Sequence, residues 1–206
     1  MKRFLAPSAL TLALLAGAIP AAVSPAAQAA NTSIQFPLVV STGAKTCLPK
    51  AEGHVIDATL GPVEELTVTV SGLPPNTEFD FFSIQVPNAP FGLAWYNGDI
   101  DTDSRGVGVG HFVARYSIES FIVSPGVAPA PRTFPKQPFP DAGQGVKTGP
   151  VQLYHLGLWF NSPADAAKAG CANTVTPFNG EHNAGIQVLN TGTFPDLRGP
   201  LINLKN

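Results

Sequence analysis

Three groups of side chains in this sequence have types and spacings that can do chemistry. Glu181-His182-Asn183, beside Asn179-Gly180, gathers an acid, an imidazole and an amide in one polar turn, a set suited to ligand contact or to acid-base work. Trp95 and Tyr96, with Phe91 and Trp159, offer aromatic faces that can stack on sugar rings or simply fill a core. Asp99, Asp101 and Asp103 place carboxylates at alternate positions, and calcium prefers such hard oxygen ligands. The EF-hand pattern fails here, because Ser104 stands at its Gly position and Gly110 at that of its bidentate Glu. The plainer expectation is a hairpin entry in which Asp103 caps a type I turn closed by Gly106 and Arg105 pairs with a neighbouring Asp. That reading allows weak calcium binding at most.

Local catalytic signatures are missing: the chain has no G-x-S-x-G, H-E-x-x-H, Walker loop or C-x-x-C. Its histidines, His54, His111, His155 and His182, are scattered, and His155 in an apolar run reads as a hydrogen-bonded core residue. The expectation is therefore a non-catalytic extracellular binding or surface-interaction module without organic cofactor, its partner a carbohydrate or a cell-surface protein. The rival is a secreted hydrolase working through Glu181, His182 and loop carboxylates. Ligand contacts are expected on loops rather than on strand faces.

Composition sets the frame. The chain has 206 residues, 44% hydrophobic and only 13% charged, with a formal net charge of −2, which excludes a basic nucleic-acid arm, a charged coiled coil and an acidic disordered tail. Met1-Lys2-Arg3, the apolar run Leu10–Ala16 and the A-x-A pattern Ala27-Gln28-Ala29 spell a secretory signal peptide over residues 1–29. Residues 30–206 then form one domain, with no membrane span once the signal is removed. An exported chain with two cysteines, Cys47 and Cys171, is expected to pair them as a disulfide.

These groups need elements to hold them. Glu65-Leu66-Thr67-Val68-Thr69-Val70-Ser71 alternates apolar and polar residues at period two, as in a strand with one buried face. Further strands are expected over 54–60, 77–86, 91–100, 109–123, 151–161 and 184–191, with a bulge in 79–84, where the alternation slips. Ser162, Pro163, Asp165 and Gly170 mark the start and end of one short helix. The stretch from Ser124 to Pro150 carries Pro at 125, 129, 131, 135, 138, 140 and 150 and reads as a long Pro-rich surface loop. The fold class is all-β, a mainly antiparallel sandwich.

Leu73-Pro74-Pro75-Asn76-Thr77-Glu78-Phe79, after a Leu-Thr-Val-Thr-Val strand, resembles the L-x-P-x-T-x-Y corner of fibronectin type III and related immunoglobulin-like sandwiches. Phe79 stands where that family has Tyr. The resemblance implies an immunoglobulin-like sandwich and carries no activity of its own. The remainder resembles secreted bacterial proteins.

Overall fold

The computed structural model describes residues 33–129, 147–177 and 182–204, so the signal segment lies outside the described residues. Among the described residues ten strands, one short α-helix and one 3-10 helix at Pro200–Asn203 make up the fold. The strands are β1 Ser33–Val40, β2 Glu52–Leu60, β3 Val63–Ser71, β4 Glu78–Ile84, β5 Ala94–Asp101, β6 Gly108–Ala114, β7 Phe121–Pro129, β8 Lys147–Gln152, β9 His155–Phe160 and β10 Gln187–Asn190; the helix is α1, Pro163–Lys168. Eight strands form one antiparallel sheet in the order β5-β4-β9-β10-β1-β2-β3-β6, and β7 and β8 pair as a separate hairpin.

The sheet is nearly closed, and β1 explains how. It pairs with β2 from Ser33 to Leu38, then with β10 at Val39 and Val40, so one strand links two halves that would otherwise be separate sheets. Phe36, Leu38, Val55, Leu66, Val68 and Val70 of one half meet Phe79, Phe81, Leu156, Leu158, Phe160 and Leu189 of the other in a single core. Period-two alternation puts them there: in β3 Leu66, Val68 and Val70 are buried while Thr69 is exposed. The all-β, antiparallel expectation holds, and the architecture is compatible with a barrel or a sandwich. β1 carries the ladder across between the two halves.

β4 and β9 lie inside the sheet and are covered on both sides, which is why both parities of their sequences are apolar. Phe79 and Phe81 face the main core, whereas Phe82, Ile84 and Trp159 form a second cluster on the other face with Phe91 packed against it. The register slip falls between Phe81 and Phe82, and the extra residue is Asn97 on the partner strand β5. β9 also holds His155, fully buried and hydrogen-bonded to the Thr191 hydroxyl at 2.8 Å and to the Asp196 carbonyl at 3.1 Å.

Three expectations are corrected, the first being the strand over 151–161, which breaks at Leu153 and Tyr154 into the end of β8 and the whole of β9. The single strand over 109–123 is two, because after Ala114 the backbone turns and the Tyr116 amide donates to the Glu64 carboxylate at 2.9 Å. Both ends of the Pro-rich stretch belong to the β7–β8 hairpin, where Pro125 pairs with Thr148 and Pro129 with Lys147. A two-stranded ribbon has free outer edges that need no N–H donors, so it tolerates proline. Residues 130–146 of that stretch lie outside the described residues. β1 lies outside every expected strand.

The helix forms as its sequence dictates. Ser162 caps it, accepting from the Asp165 amide at 3.1 Å, and Gly170 ends it at φ 74°. Among the described residues no helix is long and apolar enough to cross a membrane.

Candidate functional site

β5 and β6 are the first and last strands of the sheet, joined by a tight hairpin. A bridge between Thr102 and Gly108 and a 2.8 Å hydrogen bond from the Asp103 amide to the Val107 carbonyl hold them together at the turn. Away from the turn they share no ladder, and the seam opens into a cavity of about 460 Å³. Trp95 and Asn97 line it from β5, Arg115 and Tyr116 from the end of β6, and Phe121 and Val123 from the β7–β8 hairpin.

Trp95 and Asn97, two residues apart on the bulged strand β5, both face this gap. Asn97 donates from Nδ2 to the Ser83 hydroxyl at 3.1 Å and accepts at Oδ1 from the Tyr116 hydroxyl at 3.2 Å, which makes a polar floor. Trp95 stands beside it, 60% exposed, while Trp159 is fully buried. Aromatic surface of that size costs free energy in water unless something covers it. Phe121 at 52% and Val123 at 62% continue the apolar wall. A second concavity of about 540 Å³ lies beside it, sharing Arg115, Phe121 and Val123 and lined further by Glu119 and Gln152.

Behind Tyr116 lies a carboxyl pair. Glu64 on β3 is fully buried, accepting from Arg115 Nη1 at 3.3 Å and from the Tyr116 amide. Arg115 also reaches Glu119 at 3.4 Å, so two carboxylates match its one positive charge. Asp57 on β2 is fully buried and neither of its oxygens has a hydrogen-bond partner. Burial, and then the charge of Glu64, push its carboxyl up to about 8. Burial also raises the Tyr116 phenol, followed by the effect of Asp57.

No family model matches this chain, and no curated protein or solved structure matches it either. The geometry therefore has to carry the functional argument.

The residues singled out from sequence fall at different places. Trp95 is at the seam, but Tyr96 points to the opposite face, packed on Phe82 and donating from its hydroxyl to Asp99 at 2.6 Å. Asp99 and Asp101 lie along β5 across from Asp80 and Glu78, and Asp103 sits in the turn. Asp103 Oδ1 accepts from the amides of Arg105 at 2.8 Å and Val107 at 3.1 Å, and its other oxygen pairs with the Arg105 guanidinium. These bonds hold its carboxyl below the usual range, the Arg105 side chain contributing most. Glu181 lies outside the described residues; His182 and Asn183 are exposed. His182 is near enough to Glu78 and Asp165 for its charge to act on both. Among the described residues no three His, Cys, Asp or Glu are grouped to hold a metal ion. Cys47 and Cys171 are at bonding distance, their Cα atoms 5.1 Å apart, which fits an extracellular protein.

The turn at Asp103 also braces the corner at Leu73. The Leu73 amide donates to the Gly106 carbonyl at 3.3 Å, and Thr102 Oγ1 donates to the Pro74 carbonyl at 2.7 Å. Gly106 has φ 75° and an added Cβ would lie 2.0 Å from the Leu73 carbonyl oxygen, so only glycine fits. Asp103→Ala should therefore lower the melting temperature measurably, whereas Asp101→Asn should leave it within about 2 °C. Millimolar calcium should shift neither. A calcium-dependent rise abolished by Asp101→Asn would make the acidic strand a metal site.

Proposed function

We propose that the protein is an exported, non-catalytic binding module, released after removal of residues 1–29, whose ligand is a carbohydrate or a cell-surface protein held at the β5–β6 seam. One observation carries this reading: Trp95 stands exposed beside a cavity floored by the Ser83, Asn97 and Tyr116 hydrogen-bond chain. Apolar walls with a few convergent polar groups are the usual makeup of a binding pocket. The disulfide supports the extracellular address.

Purified protein should adhere to bacterial envelope preparations, and Trp95→Ala should abolish adhesion while leaving the melting temperature within about 2 °C, since Trp95 is largely outside the core. Equal adhesion of the variant would remove the seam from the reading. Turnover of chromogenic ester or glycoside substrates, lost on replacing His182 or Glu181, would favour the hydrolase.

A further inference from the structure

The seam's chemistry narrows what it can hold, and this step rests on the binding-module reading above. We infer that the seam takes an uncharged oligosaccharide, one ring stacked on Trp95 and its hydroxyls meeting Asn97, whose amide the buried Ser83 and Tyr116 hold in place.

Charge decides against anions. Among the described residues Arg115 is the cation lining both concavities, and Glu64 and Glu119 already engage it at 3.3 and 3.4 Å. An anionic ligand would have to compete with both carboxylates for the guanidinium, and would approach Glu119, whose side chain is 58% exposed.

Backbone geometry decides against a peptide strand added to β5. Strand addition needs an even run of edge amides, and β5 is bulged at Asn97, followed by Gly98 at φ 141°. Asn97 opposes a wholly apolar chain, which would desolvate the hydrogen-bonding capacity its amide keeps beyond its bonds to Ser83 and Tyr116. What fits is a molecule with an apolar ring face and hydroxyls around it. The two concavities lie side by side and share Phe121 and Val123 as lining, which gives room for a chain of several rings.

The test titrates the intact protein by calorimetry with cellohexaose, maltohexaose and chitohexaose, and with an oligogalacturonate of similar length as the anionic arm. At least one neutral hexaose should bind, Trp95→Ala should weaken it by about tenfold or more, and Trp95→Phe should restore part of the loss. Trp159 is fully buried, so a saturable change in tryptophan fluorescence should accompany binding in the parent and vanish in Trp95→Ala. Failure of every neutral oligosaccharide to bind at millimolar concentration would overturn the inference. So would oligogalacturonate binding as tightly as the neutral chains; if Trp95→Ala abolished that binding, the seam would stand and only the ligand class would fall. Saccharide binding untouched by Trp95→Ala would take down the seam itself.

Discussion

Asp57→Asn is expected to stabilise the protein relative to its parent by an amount that grows with pH, from little near pH 4 to on the order of 3–5 kcal/mol at pH 8 and above. Asp57 sits on the inward parity of β2, fully buried and without a hydrogen-bond partner. Burial and the neighbouring Glu64 raise its carboxyl to about 8 in the fold, against 3.8 for the free side chain. Below about pH 4 the group is protonated in both folded and unfolded chains and contributes nothing. Between there and about pH 8 the unfolded chain has released the proton while the fold retains it, so the fold binds more protons and loses stability as pH rises. Above that range both states are ionised and the cost is complete.

An Asn amide does not titrate, so its own unpaired groups add only a constant offset. His155 adds a slope of the opposite sign, since burial holds it neutral in the fold and the unfolded chain gains a proton below about pH 6.5. That slope is common to both proteins and cancels in the difference. Urea unfolding of parent and variant at several pH values between about 4 and 9 would show the two stability curves diverging. Parallel curves would mean that Asp57 finds a partner, water included, that holds its charge.

How far the sequence foretold this site follows from what each signal measures. Alternation in β3 and the cap-and-glycine punctuation of α1 are local, and both elements form where expected. The Asp103 turn is local too, down to its pairing with Arg105. The seam is not local: Ser83, Asn97 and Tyr116 come from β4, β5 and the segment after β6, and no spacing announces that they meet. Loop composition carries no signal for a gap that opens between strands.

A usable signal did exist for the carboxyl pair. Asp57 shares the parity of Val55, and Glu64 that of Leu66 and Val68, so each is a charged residue on the apolar side of a strand. β1 carries a similar signal, Ile34, Phe36 and Leu38 in alternation, interrupted by Pro37 on the opposite parity. Long-range closure through β1 and the even burial of β4 depend on which strands become neighbours, and that is a property of the whole chain.

Replacing Cys47 and Cys171 together by Ser should cost roughly 4–5 kcal/mol and lower the melting temperature by roughly 10 °C or more, the largest loss expected of any surface-neutral change here. The bridge spans 124 residues, closing a loop that contains everything from β2 through α1. Its stabilisation comes mainly from the unfolded chain, which loses conformational freedom when the loop is closed. In the fold both ends are held independently. Cys171 donates its amide to the Ala166 carbonyl at 2.9 Å, and the segment around Cys47 is fixed by the Leu48 amide on the Ala44 carbonyl at 2.8 Å. Ala44 is itself fully buried. The Ser variant should therefore retain the parent's near-ultraviolet circular dichroism at low temperature while melting earlier, and reductant should lower the parent's midpoint to match it. Coincident midpoints with and without reductant, or two thiols open to alkylation in the natively exported protein, would show that the cysteines stay apart. A variant that also lost its native spectrum would instead locate the contribution in the packing between α1 and the end of β1, since loop entropy acts on the unfolded chain alone.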